Sequence, residues 1–255
     1  MNTFAMKKDC FLIIFLLLLF TSCSEEPYLD KDKQLNLDQL NLNHNVFESG
    51  LKLMAMPNGL HELELNEIIQ DTLVIAVHGN SSRGYEWVYP LQVINTEKNL
   101  ITFFRWDDSS CIDKYVFMLE DLIQKKISEY KNILKIKIYG HSYGGLLSAV
   151  FMDQWRGKLP LEVHTIASPL KGINIFTKNC NYKTPEKVPD KTKMYEWRTI
   201  KNLDGAFKNL KEDPQNVKIF GSTVTRLPET YKKNKLGHNW SISWVVDKLN
   251  SEITD

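Results

Sequence analysis

The sequence lacks an excess of charge of either sign. Its 255 residues carry 32 Lys and Arg against 31 Asp and Glu, a formal net charge of +1 at pH 7. No basic field is available for a nucleic-acid backbone, and nucleic acid is set aside as a partner. A membrane-spanning run is missing too: the unbroken apolar stretch from Phe11 to Phe20 is too short to cross the hydrocarbon as a helix. Internal repeats and low-complexity tracts are absent. His44, His61 and His164 stand scattered, with no metal-ligand spacing, so neither a metal nor another cofactor is expected. With 43% hydrophobic and 25% charged residues, the chain has no compositional mark of disorder and is long enough for one sizeable α/β domain.

The first residues read as a targeting segment. Lys7 and Lys8 supply a positive start and Phe11 to Phe20 an apolar stretch of secretory length. The run ends at Phe20-Thr21-Ser22-Cys23, which resembles the lipobox of bacterial lipoproteins. An uncleaved anchor or an ordinary signal peptide is the alternative. The resemblance implies a signal peptide over 1–22, a lipidated Cys23 opening a polar tether over 23–45, and a folded domain over 46–255. The expected location is the bacterial cell envelope, lipid-anchored to a membrane.

Cysteine is scarce. Of the four, Cys10 would leave with the signal and Cys23 would take the lipid. Cys111 and Cys180 then remain as an even pair in an oxidising compartment, either bridged or as two free thiols.

The chain is organised around Ile133 to Phe151, ILKIKIYGHSYGGLLSAVF. An apolar, alternating run stops at Gly140-His141-Ser142-Tyr143-Gly144, and aliphatic residues then continue at helical spacing. Strand, sharp turn and helix meet at one serine. This is the context in which G-x-S-x-G acts as a nucleophile elbow, its glycines letting a strained turn hold the serine hydroxyl above the strand end.

Before it, Leu51 to Leu65 alternates around Asn58-Gly59 and predicts a β-hairpin. Thr72–Val77 is a continuous apolar run of the kind buried on both faces of a parallel sheet, and it ends in His78-Gly79-Asn80. Asn99–Arg105 predicts a strand and Lys114–Tyr130 a helix. Beyond the elbow, strands are expected at Leu161–Ala167, Met194–Ile200 and Val217–Phe220, with a polar insertion at Lys178–Lys193 and a closing helix at Ile242–Leu249. The alternation predicts a mostly parallel sheet of about 7–8 strands with helices on both faces.

A serine nucleophile needs a base, and the base an orienting acid. Downstream of Ser142 there are two histidines. His164 falls inside a strand, whereas His238 lies in a loop before the last helix, from which it can reach back over the sheet. Asp204 leaves the sheet just after a strand, beside Gly205, and is the favoured acid, with Glu229 as the alternative. Oxyanion donors are expected from the backbone N–H groups of Tyr143 and Asn80. His78 reads as a shaping residue.

Together, HGN after a strand, GHSYGG at the elbow, TIASPLKG after the next strand and LGHNW near the end resemble the lipase/esterase branch of the α/β-hydrolase superfamily, including GPI-inositol-deacylase-like hydrolases with a GHSxGG elbow. The resemblance runs from about Leu73 to Leu249. It implies the α/β-hydrolase fold and hydrolysis of an ester, in a small molecule or a lipid, through an acyl-enzyme on Ser142. A non-catalytic binding or envelope protein on the same fold is the competing reading. The Lys178–Lys193 insertion is too polar for an apolar lid, and Tyr85, Trp87, Tyr89 and Trp106 either line an acyl pocket or pack the core.

Overall fold

The computed structural model describes residues 34–43, 45–64, 70–173 and 180–254. Cys23 and the signal segment lie outside them. Among the described residues no helix is long and apolar enough to cross a membrane.

The strand Thr72–Val77 (β2) shows how the sheet is built. Leu73, Ile75 and Val77 point into one apolar layer and Val74 and Ala76 into the other, so the two-residue period of a strand feeds two cores at once. Its neighbours are Asn99–Arg105 (β3) and Lys135–His141 (β4), both parallel to it. Leu161–Ile166 (β5), Thr192–Arg198 (β6) and Thr223–Arg226 (β7) continue the parallel pairing, while Gly59–Glu62 (β1) joins β3 antiparallel. The seven strands run β1-β3-β2-β4-β5-β6-β7. The chain leaves β2 towards one edge and returns to β4 on the other side, so the strand order reverses between these two. In open α/β sheets that crevice is where ligands bind.

Helices Asp113–Glu129 (α3) and Tyr143–Gln154 (α4) cover one face. Val46–Ala55 (α1), Tyr85–Val93 (α2) and Trp240–Thr254 (α5) cover the other. A small hairpin, Thr230–Tyr231 (β8) with Asn234–Lys235 (β9), stands outside the sheet.

Three expectations are corrected. The hairpin of Leu51–Leu65 does not form: its first half belongs to α1, and Gly59–Glu62 pairs with β3 instead. The alternation of Leu51, Leu53 and Ala55 is outweighed by a helix start in which the Asn45 side chain accepts from the Glu48 N–H. Val217–Phe220 is not a strand. It bridges only at Phe220, to Lys187, and Gly221, at φ 85°, turns the chain so that Thr223–Arg226 takes the place beside β6. The tether does not reach Asn45, because Leu35, Leu37 and Leu40 are buried and the Leu37 N–H bonds the Leu63 carbonyl at 2.9 Å. The folded unit therefore already includes Gln34.

Helix α2 carries little sequence signal, since Pro90 sits inside it and proline ordinarily breaks a helix interior. It starts where Gly84 backs onto Gly50 of α1. A Cβ at Gly84 would lie 2.3 Å from the Gly50 carbonyl oxygen, and one at Gly50 would lie 2.2 Å from the Tyr85 nitrogen. This close approach seats the start of α2 on the middle of α1.

Candidate active site

The turn at the end of β4 is tight because main chain crowds it on several sides. Ser142 adopts φ 52°, ψ −120°, a conformation an L-residue holds only when its surroundings force it. Its N–H donates to the Ile166 carbonyl at 2.9 Å, which ties the turn to the end of β5. A Cβ on Gly144 would meet the carbonyl oxygens of Val77 and His78, each at 2.4 Å, and one on Gly140 would meet the Gly144 carbonyl oxygen at 2.7 Å. Because the β2–β4 register ends with Val77 opposite Gly140, Gly79 arrives beside the serine. A Cβ there would sit 2.8 Å from Ser142 Cβ.

Under this loop, His78 is fully buried. Its Nδ1 donates to the Gly79 carbonyl at 2.9 Å, while Nε2 accepts from Arg105 Nη1 at 3.1 Å and from the Trp106 N–H at 3.3 Å. Both nitrogens are occupied in the neutral form, and burial lowers the pKa to about 4. His78 therefore shapes the loop and stays uncharged at neutral pH. The Asn80 side chain donates to the Asp108 carbonyl at 3.1 Å, and the Ser81 N–H donates to the Asp108 carboxylate. These bonds pin the loop that follows β2. Tyr143 opens α4, buried against Trp106 with ring centroids 5.1 Å apart, and burial pushes its phenol up to about 12.

The second half of the site is made of side chains. After β6 the chain passes Thr199 and a short 3₁₀ turn, Lys201–Leu203, to Asp204, which is fully buried. Asp204 Oδ2 accepts from His238 Nδ1 at 3.0 Å and from the Thr199 hydroxyl at 2.5 Å, and Oδ1 accepts from the Ala206 N–H at 2.8 Å. Gln215 supports Thr199 from behind, its side-chain oxygen accepting from the Thr199 N–H at 2.8 Å. His238 is also held at its own carbonyl, which accepts from His141 Nε2 at 3.1 Å and from the Ser241 hydroxyl. The His141 and His238 rings lie 4.6 Å apart, and Phe207 meets His238 edge-on at 5.1 Å. His141 is fully enclosed, and burial holds its pKa well below the ordinary imidazole value, so it stays neutral beside the second imidazole.

Ser142 and His238 line one cavity of about 200 Å³, together with Asn80 and Glu86. The structure thus brings together Ser142, His238, Asp204, Asn80 and Tyr143. It sets Glu229 apart: that residue is exposed, and its carbonyl bonds the Leu236 N–H in the β8–β9 hairpin. Cys111 and Cys180 form a disulfide, joining the segment after residue 179 to the loop that carries Asp108. Among the described residues no group of His, Cys, Asp and Glu is arranged to hold a metal ion.

Of the aromatic residues read as pocket or core, Trp87 and Trp106 are core, whereas Tyr85 and Tyr89 line cavities. His164 is a buried packing residue, stacked between Tyr139 and Tyr195 and bonded to Glu162 and Trp197. Sequence reasoning missed His141, Thr199, Gln215 and Glu86. His141 had a signal, being next to the nucleophile. The others are ordinary polar residues that gain meaning only from the fold.

No family model matches the chain, and no curated protein matches it either. Solved structures do match. Est1E from Butyrivibrio proteoclasticus is 11% identical, over 76% of this chain and 92% of its own, with a TM-score of 0.52. A serine hydrolase without lid from Xanthomonas campestris is 11% identical, over 76% of this chain and 86% of its own, at 0.50. A protein of unknown function from Agrobacterium tumefaciens is 11% identical, over 78% and 93%, also at 0.50. With its strand order, its strained serine turn after β4 and these neighbours, the chain has the α/β-hydrolase fold.

Proposed function

We propose that this protein is a serine hydrolase of the lipase/esterase branch, cleaving an ester through an acyl-enzyme on Ser142. The observation that carries the reading is the 3.0 Å bond between His238 Nδ1 and the buried Asp204 carboxylate, with the imidazole in the same cavity as a serine held in a strained turn. Ser142 Oγ attacks the ester carbonyl carbon and its proton passes to His238 Nε2. The oxyanion is met by the backbone N–H groups of Tyr143 and Asn80, each such donor contributing about 3 kcal/mol to the transition state. As the C–O bond breaks, His238 returns the proton to the leaving alcohol. Water then attacks the acyl-enzyme by the same route in reverse. Asp204 keeps the Nδ1–H tautomer and stabilises the imidazolium.

The described part of the 178–193 insertion lines neither the nucleophile cavity nor the one beside it. This favours an open site over one gated by an apolar lid. Replacing Ser142 with alanine should lower hydrolysis of short p-nitrophenyl esters by about 10⁶-fold with the melting temperature unchanged. A near wild-type rate would favour a non-catalytic chain on this fold.

The envelope location is part of the proposal. It rests on the apolar run before Ser22-Cys23, and the GPI-inositol-deacylase-like assignment rests on the GHSYGG elbow alone. Cys23→Ser should abolish incorporation of labelled palmitate. Unchanged incorporation and processing would remove the anchor from the account.

A further inference from the structure

Two cavities meet at α2. Beyond the one that holds Ser142 and His238 lies a second of about 280 Å³, and Tyr85, Glu86 and Asn239 line both. The far walls are the rings of Tyr89, Tyr231 and Trp240, the last two meeting edge-on at 5.8 Å. Their polar groups are satisfied among themselves. The Tyr89 hydroxyl donates to Asp247 Oδ1 at 2.7 Å, the Tyr231 hydroxyl donates to the other oxygen, and Lys232 Nζ lies 3.3 Å from Asp247 Oδ2. The lysine is ion-paired there, with Nζ over the Tyr89 and Tyr231 rings at 4.5 and 4.8 Å from their centroids. The rest of the lining is mainly apolar, a slot suited to a flat apolar group.

Glu86 is the exception in that wall. Its side chain is buried, and Oε1 accepts from the Ser82 hydroxyl, yet Oε2 is sealed from water with no partner. Two other buried side-chain atoms among the described residues share that condition, Gln70 Nε2 and Trp87 Nε1, and their residues line neither cavity. An acid in the first turn of α2 suits the helix N-terminus, where its own backbone N–H also favours the charged form, but neither this nor the Ser82 bond gives Oε2 a partner. Burial also raises the Glu86 pKa, the mark of a carboxyl that water does not solvate. An acceptor kept in this state beside a nucleophile is costly unless a ligand brings the missing donor.

We propose that Glu86 is a specificity-determining residue that accepts a hydrogen bond from a substrate hydroxyl, and that the second cavity takes the flat apolar group next to that hydroxyl. This rests on the esterase reading of Ser142 and names its substrate class: esters with a hydroxylated aryl or arylalkyl part. The donor sits at the junction of the two cavities.

The test compares methyl 3-phenylpropanoate with its 2-hydroxy, 3-hydroxy and ring 4-hydroxy counterparts. Turnover is measured with the full-length protein, and equilibrium binding with the Ser142→Ala variant by tryptophan fluorescence. At least one hydroxylated ester should be favoured tenfold or more in kcat/KM and in binding. Glu86→Met should bring that ratio to within about twofold. Glu86→Gln, which keeps the shape and one oxygen for Ser82, gives the same comparison should the methionine variant melt early. Ester turnover that depends on Ser142 with no preference for any hydroxylated member overturns this proposal alone. Binding that discriminates the hydroxyl, with no turnover of any ester, upholds Glu86 as the hydroxyl acceptor and overturns the hydrolase reading and the substrate class with it.

Discussion

At Ser142 nearly all the fixing contacts are made by backbone, whereas at Asp204 and His238 most are made by side chains. The nucleophile is wedged by Gly79 and Gly144 against main-chain oxygens and held by one N–H bond to Ile166. The acid and base hang on Thr199, Gln215, His141 and Ser241. The difference lies in how each half tolerates change. A backbone wedge admits no side chain at all, while a side-chain network loses one bond at a time.

Among the groups that support the nucleophile, the largest expected effect comes from the side-chain half. Asp204→Asn keeps the shape but favours the wrong imidazole tautomer, so the esterase rate should fall by about 10⁴-fold. Glu229→Gln, outside the network, should stay within about twofold. Comparable losses in both would mean that the acid has been misassigned.

Next in size is a break in the wedge. Gly144→Ala drives a methyl group against the carbonyl oxygens of Val77 and His78, and overpacking against backbone should cost about 3 kcal/mol. Chemical denaturation reads this directly. A neutral result would show that the turn can move and that the contrast between the halves is overstated.

The halves also differ in what sequence reveals. The wedge is legible because its demands fall on glycine and on neighbours in the chain: GHSYGG sits between a strand and a helix, and HGN ends another strand. Asp204 is legible only by position, just beyond a strand. Thr199 and Gln215 carry no signal, because what makes them matter is a contact across 16 residues. The sheet centre reads well since β2 and β3 are largely apolar runs and β4 and β5 alternate, each bounded by turns. The edges read badly. Leu51–Ala55 alternates like a strand but is claimed by a helix cap at Asn45, Pro90 hides α2, and Val217–Phe220 makes a single bridge while exposed Thr223–Arg226 joins the sheet.

Acid should weaken the layer under the wedge. His78 has a folded pKa of about 4 and an unfolded value near 6.5, so between these limits the unfolded chain binds the extra proton. Its contribution is complete above pH 6.5 and is lost as the pH falls towards 4, by up to about 3 kcal/mol. Urea midpoints at pH 7, 5.5 and 4.5 should decline accordingly, and His78→Gln should flatten the decline. An unchanged slope in that variant would assign the acid sensitivity to the other buried histidines, His141 and His164.

The smallest effect is one bond in the side-chain network. Thr199→Val removes the hydroxyl bond to Asp204 and leaves the Ala206 N–H and His238 in place, so kcat/KM should fall by about tenfold, equivalent to roughly 1.4 kcal/mol. A loss as large as that of Asp204→Asn would make Thr199 indispensable and the network a single unit.

The central claim is that the wedge and the network meet at one reactive hydroxyl, Ser142. Incubating the folded protein with a fluorophosphonate and mapping the adduct by peptide mass spectrometry tests this most directly. The account predicts one phosphonyl group, on Ser142, with labelling slowed by orders of magnitude in Asp204→Asn. An unlabelled Ser142 in a folded protein, or a label on another residue, would contradict it.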